Sequence, residues 1–234
     1  MKAILLAGGF GTRLRPLTDT VPKCLVPIAG KPLLQRWLEK LDKAGVSDFL
    51  VNTHYLKDQV ENFVANSDFN GRIELVNEES LLGTAGTLLA NIGFFDHLDG
   101  ILLHADNYCL ADFAMFVDAH LRRPSECLLT VMAFRTSEPQ NCGIFESDER
   151  NIAIGFHEKV AFPPGNLANG AVYILSKELL EQIPHHFPSA ENFSTDILPH
   201  LVGKIFIYET EKLFLDIGTP ENYEKANAYT ADEL

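Results

Sequence analysis

Residues 2–13 read Lys-Ala-Ile-Leu-Leu-Ala-Gly-Gly-Phe-Gly-Thr-Arg, an apolar run (Ala3 to Ala7) that passes straight into glycines. A short apolar run without alternation is the pattern of a strand buried on both faces of a parallel sheet. Such a strand needs helices on both sides, so an α/β architecture follows. Glycines directly behind it allow a sharp turn and let backbone N–H groups approach an anion closely.

Residues 31–44 then carry apolar side chains at helical spacing (Leu33, Leu34, Trp37, Leu38, Leu41) and stop at Gly45, as an amphipathic helix with a glycine C-cap does. Phe49-Leu50-Val51 predicts a second strand and residues 57–66 a second helix. Ile73 to Val76 is a third strand, and a helix follows from about Ala85 to Ile92. Ile101-Leu102-Leu103-His104-Ala105-Asp106 is a fourth strand with a carboxylate at its end. This β-α-β-α alternation over residues 1–125 predicts a Rossmann-like, doubly wound, mainly parallel sheet flanked by helices. Its binding crevice lies outside the carboxyl ends of the strands, where the Gly8–Arg13 loop, Asp106 and the Gly83–Gly86 loop all fall.

After Pro124 the pattern changes. Residues 127–134, 143–147, 152–158 and 169–175 read as strands with short connections, with one further helix near 177–182. Leu213-Phe214-Leu215-Asp216 is a late apolar run ending in a carboxylate, and Thr219-Pro220-Glu221 opens a last helix with threonine as N-cap. The second half therefore extends the same sheet, makes it mixed, and leaves residues 1–234 as one domain.

The 234 residues are 46% hydrophobic and 22% charged, with a net charge of -13. That length and composition suit a single globular core. The acidity argues against a nucleic-acid partner and against an anionic membrane surface, both of which need a basic footprint. No apolar run approaches the roughly 18 residues of a membrane span. Cys24, Cys109, Cys127 and Cys142 form no C-x-x-C pair and read as reduced thiols. The opening apolar run is too short for a signal-peptide core, so a cytoplasmic location is expected. The charge is unevenly spread: Lys2, Arg13, Arg15, Lys23, Lys31 and Arg36 face only Asp19 within residues 1–36, a local +5 against -18 for the remainder. A basic segment on an acidic body is either a local anion site or a clustering on a solvated face.

Gly8-Gly9-Phe10-Gly11-Thr12-Arg13-Leu14-Arg15-Pro16-Leu17-Thr18, followed by Pro22-Lys23, combines glycines with two cations. It is not a Walker loop, which ends in Gly-Lys-Ser/Thr, and a Rossmann G-x-G-x-x-G from Gly9 would need glycine where Leu14 stands. On spacing alone it is a different phosphate loop or a glycine-rich turn with an incidental arginine. Asp106 and Asp216 each end an apolar run. Two carboxylates converging at strand ends hold a hard cation such as Mg²⁺ beside phosphate oxygens; the alternative is that one caps a loop and the other ends a strand.

Segment 8–23 resembles the signature of the sugar-phosphate nucleotidylyltransferases, G-G-x-G-T-R-L-x-P-L-T…P-K. The resemblance continues in family order through Glu79…Leu82-Gly83-Thr84-Ala85-Gly86, Asp106, Glu158-Lys159, Asn169-Gly170 and Asp216-Ile217-Gly218-Thr219-Pro220, spanning residues 1–222. The L-G-T-A-G loop and the size are most similar to the mannose-1-phosphate and D-glycero-D-manno-heptose-1-phosphate guanylyltransferases. This implies a nucleotide-diphospho-sugar transferase-like fold, with an NTP (GTP favoured) and a mannose- or manno-heptose-type sugar 1-phosphate as partners. The products would be an NDP-sugar and pyrophosphate. Uridylyl or thymidylyl transfer to another hexose 1-phosphate is one alternative, and a silent nucleotide-sugar-binding regulator is another. A glycosyltransferase ranks last, because its Asp-x-Asp motif would need aspartate at His104.

Carried over residue by residue, the resemblance implies that Leu6, Ala7, Gly8, Gly9, Gly11 and Thr12 lie against the nucleotide. Arg13 and Lys23 would stabilise the triphosphate and the charge building at the α-phosphoryl group. Gly83 and Thr84 would border the base, and Glu79 would stand near the pocket. Asp106 and Asp216 would hold Mg²⁺ and complete the catalytic set with Arg13 and Lys23. Lys159 would clamp the sugar phosphate, with Glu158, Asn169 and Gly170 on the sugar. Residues 1–125 become the nucleotide half and 126–234 the sugar half. Two departures stand out: His104-Ala105-Asp106 replaces Asn-Gly-Asp, and Glu158-Lys159-Val160 replaces Glu-Lys-Pro. The sequence stops soon after its last helix, so no C-terminal β-helix domain like that of longer relatives is expected. His185-His186, beside Pro184 and Pro188, reads as a solvated loop. His157 either touches substrate or is an ordinary strand histidine, and Cys24 is a bystander.

Overall fold

The computed structural model describes residues 1–231. The opening apolar run forms β1 (Lys2–Leu6), with Ala3, Ile4 and Leu5 wholly buried. A short antiparallel pair, β2 (Pro27–Ile28) and β3 (Lys31–Pro32), leads into α1 (Leu33–Lys43). Gly45, in the left-handed region at φ 84°, ends that helix by donating to Asp42 O. Then follow β4 (Asp48–Thr53), α2 (Lys57–Ala65), β5 (Ile73–Asn77), α3 (Gly83–Ala90), β6 (Gly100–His104) and β7 (Asn107–Cys109).

β1 pairs in parallel with β4 on one side and β6 on the other, and β4 pairs in parallel with β5. The chain winds outward through β1, β4 and β5, then reverses past β1 to lay down β6. That reversal opens the crevice at the carboxyl ends of β1 and β6, where the glycine loop and Asp106 emerge.

Beyond α4 (Phe113–Leu121), β8 (Leu129–Arg135), β9 (Gly143–Ser147), β10 (Ala153–Glu158) and β11 (Leu167–Leu175) extend the sheet. β11 runs antiparallel to β6, β8 and β9, and β9 is antiparallel to β10. After α5 (Lys177–His186), β12 (Ile205–Glu209) joins β8 in parallel to complete nine strands. β13 (Phe214–Asp216) pairs instead with β7, and α6 (Pro220–Ala231) follows with the Thr219 hydroxyl accepting from Asn222 N at 3.3 Å.

Alternation along β1 explains the two-sided core. Ala3, Leu5 and Ala7 face Trp37 and Leu41 of α1 and Phe113 and Phe116 of α4, whereas Ile4 faces Leu88 of α3 and Leu179 and Ile183 of α5. A third cluster joins Leu14, Val26, Ile28 and Leu33 of the basic segment to Ile217 and Ala226. It fastens the glycine loop to the chain around Asp216.

Several boundaries differ from expectation. The fourth strand stops at His104: Ala105 N still donates to Leu6 O, but the chain then turns, leaving Asp106 in the turn rather than in the strand. α3 begins at Gly83, two residues earlier than its apolar pattern. α5 continues to His186, so His185 and His186 lie in the last helical turn, not in a loop. Pro184 removes one helical hydrogen bond there, and burial of Leu179, Leu180 and Ile183 outweighs that loss. No strand is expected at Ile205–Glu209 from the alternation above, yet pairing with β8 buries Ile205 and Ile207.

Gly100 is required by packing: a Cβ there would collide with the buried ring of Phe95. Gly100→Ala is expected to destabilise the chain by about 1–3 kcal/mol through overpacking, read as a lower urea midpoint at unchanged slope. An unchanged midpoint would show that the ring has room to move.

Candidate active site

Lys23 lies just past the proline of the basic segment, in a single 3₁₀ turn (Lys23–Leu25), with its side chain only 7% exposed. Its ammonium donates to Asp106 Oδ2 at 2.6 Å and to Asp216 Oδ1 at 2.9 Å, and Arg13 Nη2 reaches Asp216 Oδ2 at 3.3 Å. The four charged residues thus form one alternating chain across the crevice. Burial pulls the Lys23 ammonium down, but Asp106 and Asp216 outweigh it and hold its pKa above the ordinary lysine value. Burial likewise raises the Asp106 carboxyl, and Lys23, aided by His104, outweighs it and holds it below the usual carboxylate range. His104 is kept below the ordinary histidine value mainly by burial, against the pull of Asp106.

The glycine loop is held from beneath. Ala7 N donates to Asn52 Oδ1 at 2.7 Å, and Asn52 Nδ2 donates to the buried Glu78 at 3.0 Å. Glu78 also accepts from Thr87 Oγ1 and from Leu82 N, so one carboxylate ties β1, β4 and the start of α3 together. The sequence motif points to Glu79, but β5 ends so that Glu79 is exposed and Glu78 turns inward. Gly11 adopts φ 64°, and a Cβ there would stand 2.9 Å from Thr18 Cγ2. Gly8 is closed in by Asn52 and Leu81, whereas nothing lies within 4 Å of the Cβ position of Gly9. Thr12 and Arg13 are exposed at the turn that follows.

A cavity of about 330 Å³ lies beside this charge chain. Arg13, Thr84, Asp106, Glu158, Lys159, Asn169, Gly170 and Asp216 all line it, so residues from both halves of the chain converge there. Leu6, Ala7, Gly8, Gly9, Gly11, Thr12 and Gly83 lie outside its lining. Gly83, at φ 79°, packs against the backbone of Glu191, whose carbonyl accepts from Ala85 N and Gly86 N. The Ala85 and Gly86 amides in the first turn of α3 are therefore occupied by protein. Asn169 donates to Tyr173 Oη and accepts from Ala171 N, and Lys159 stands 3.7 Å from Glu158.

Other walls of the cavity had no motif to announce them. Phe134 and Phe214 stack at 4.6 Å, and Phe193 and Ser194 come from a π-helical turn (Phe193–Ile197), a local form that recurs at functional sites. A Cβ on Gly218 would press on both Asp216 and Arg13, at 2.7 and 2.9 Å, so this glycine permits the Arg13–Asp216 contact. His157 pairs with Glu146 at 2.7 Å and does not line the cavity. Cys24 is buried, which pushes its thiol up to about 12, and it carries no contact to the cavity. A shallow concavity at the opposite, amino ends of the strands, lined by Lys2, Asp48 and Arg72 among others, contains none of the motif residues.

Among the described residues no group of three or more histidine, cysteine or carboxylate side chains is arranged to hold a metal ion. Asp106 and Asp216 are a pair of hard oxygen donors sharing one cation, a set that suits Mg²⁺ once substrate phosphates supply the remaining ligands.

Residues 2–233 match the Nucleotidyl transferase family. The chain belongs to that family. It is 30% identical to the mannose-1-phosphate guanylyltransferase of Mycobacterium tuberculosis, over 97% of this chain and 63% of that protein. It is 33% identical to the mannose-1-phosphate guanylyltransferase catalytic subunit beta of Xenopus tropicalis, over 95% of this chain and 62% of that protein. The chain thus spans about three-fifths of the length of these curated relatives. The crystal structure of HddC from Yersinia pseudotuberculosis complexed with GMP-PN matches with a TM-score of 0.79 at 29% identity, over 98% of this chain and 99% of that one. A Bacillus anthracis structure shares the fold at a TM-score of 0.86 and 22% identity, over 99% of this chain and 96% of that one.

The charge chain sets a pH dependence. Lys23→Met leaves Asp106 and Asp216 without their shared cation, and at pH 7 should lower stability by about 1–3 kcal/mol, the smaller end reflecting the half-exposed Asp216. Asp106 titrates below its unfolded value, so its stabilising contribution is present above about pH 3.9 and is lost as pH falls through its folded pKa. Lys23 titrates above its unfolded value, so its contribution is complete everywhere below about pH 10.4. Urea unfolding of both proteins should show a gap at neutral pH that closes in the acid range. A constant gap would mean that lost packing, not the charge chain, explains the variant.

Proposed function

We propose that this nucleotidyl transferase family member transfers a nucleotidyl group from an NTP, GTP favoured, to a sugar 1-phosphate of mannose or manno-heptose type. The products are an NDP-sugar and pyrophosphate. The observation that carries this reading is the convergence of Arg13, Lys23, Asp106 and Asp216 beside a cavity that Glu158 and Lys159 also line. The named relatives and the GMP-PN complex of HddC support guanine and mannose as the first substrates to test.

The open face over Gly9 and the exposed guanidinium of Arg13 suit a triphosphate arriving at the glycine loop. Arg13 and Lys23 neutralise its charge and the charge that builds at the α-phosphorus as the sugar-phosphate oxygen attacks in line and pyrophosphate leaves. Chemistry of this kind asks for positioning and electrostatic stabilisation more than covalent help. Lys159 holds the sugar phosphate, while Glu158 and Asn169 accept and donate to the sugar ring. Asp106 and Asp216 would hold Mg²⁺, which when bound supplies Lewis-acid polarisation and charge neutralisation of the phosphates. The segment 1–125 serves the nucleotide and 126–234 the sugar, across one cavity. Among the described residues no helix is long and apolar enough to cross a membrane, and the free thiols suit a cytoplasmic location.

Pyrophosphate release with Mg²⁺, measured for a panel of NTPs against sugar 1-phosphates, tests the reading, with GTP and mannose 1-phosphate expected among the best pairs. Turnover with no pair would overturn it. Asp106→Asn and Asp216→Asn should each lower kcat by about 10²–10³, while NTP binding without metal survives. Full activity in both variants would refute the metal assignment.

A further inference from the structure

His104 closes β6 opposite Leu6 of β1, on the same face as Leu102. Its ring is half-buried and lines the cavity with Tyr173, Asn169 and Asp106. Neighbouring polar side chains are partly engaged, with one Asn169 amide proton left for the sugar. Thr84 Oγ1 accepts from Phe193 N at 2.8 Å, Asn169 is held by Tyr173 and Ala171, and Asn107 Nδ2 donates to Gly170 O at 3.3 Å. The His104 ring makes no side-chain hydrogen bond to any described residue, and its nitrogens are not sealed off from the cavity. Its ring nitrogens therefore have their capacity free toward the cavity.

Resting on the function proposed above, we infer that His104 is a specificity-determining contact that hydrogen-bonds a hydroxyl of the sugar 1-phosphate. A neutral imidazole offers one donor and one acceptor, and a hydroxyl is the group that answers both. The sugar is favoured over the nucleotide because Glu158, Lys159, Asn169 and Gly170 all line the cavity with His104, whereas of the nucleotide-side residues only Arg13 and Thr84 do. A site that hydrogen-bonds a substrate hydroxyl discriminates strongly against analogues lacking it, because its own polar group is then left unpaired. The sequence departure at this position thus becomes a candidate selector of the sugar.

The test uses His104→Leu and His104→Asn with GTP, mannose 1-phosphate and its monodeoxy analogues. Loss of one hydrogen bond should raise the KM for mannose 1-phosphate about tenfold in His104→Leu, with the KM for GTP changed by less than about twofold and partial recovery in His104→Asn. The wild type should be penalised by one particular monodeoxy analogue, and His104→Leu should treat that analogue and mannose 1-phosphate alike. An unchanged KM for the sugar phosphate, an equal rise for GTP, or a deoxy penalty that persists in His104→Leu would each overturn the inference. Should His104→Leu fail to fold, His104→Asn and the wild-type deoxy series decide, and a wild type indifferent to every analogue overturns it. Absence of turnover in the wild type sinks the function itself. Calorimetric titration of mannose 1-phosphate then still judges His104, with equal affinity for wild type and variant counting against it.

Discussion

One buried ammonium holds the site together. Lys23 is 83 residues from Asp106 and 193 from Asp216 in sequence, yet it donates to both carboxylates. Taking an ammonium out of water is costly unless it is paired and hydrogen-bonded, so the folds of the first turn, the β6 end and the β13 end must satisfy it together. The apolar cluster of Leu14, Val26, Ile28, Tyr108, Ile217 and Ala226 brings those three segments into register. Arg13 then extends the pattern outward to solvent, where an anionic substrate would meet it.

The same convergence explains the placement of several small and aromatic residues. Gly218 leaves room for the Arg13–Asp216 contact, and the stacked rings of Phe134 and Phe214 form a wall of the cavity. Gly170 allows β11 to pass close to Met132 O and the Phe214 ring, where a Cβ would stand at 2.8 and 3.2 Å. Beneath the glycine loop, Glu78 plays the corresponding role with uncharged partners: Asn52, Thr87 and the amide of Leu82 all converge on it. The loop is thus braced on one side by an ion cluster and on the other by a buried hydrogen-bond network.

Legibility in the sequence followed the range of the interactions. β1 and its glycine loop were readable because burial on both faces and left-handed backbone leave local marks. So was the helix ending at Gly45. The carboxylates at 106 and 216 were readable as strand-end residues, though not as partners of one lysine, because no local pattern encodes a contact across 193 residues. The choice between Glu78 and Glu79 turns on one step of strand parity, which two adjacent glutamates cannot reveal. α5 runs past the expected stop because tertiary burial of Ile183 overrides the breaking tendency of Pro184. The cavity walls at Phe193 and Ser194 were invisible, since a π-helical turn has no periodic signature.

By itself the sequence determined the α/β alternation, the doubly wound first half, the position of the crevice and the family, because these depend on short-range hydrophobic period, glycine placement and ordered motifs. The local excess of +5 over residues 1–36 also marked where an anion should meet an otherwise acidic chain. Only the tertiary structure decided that Lys23 is shared by two distant carboxylates, that Glu78 rather than Glu79 braces the loop, and that the His104 ring lines the cavity. Each of these depends on which side chains the sheet order brings within hydrogen-bonding distance. That is set by the reversal of strand winding past β1 and the packing of β13 and α6 against the first turn, neither of which a local stretch of sequence contains.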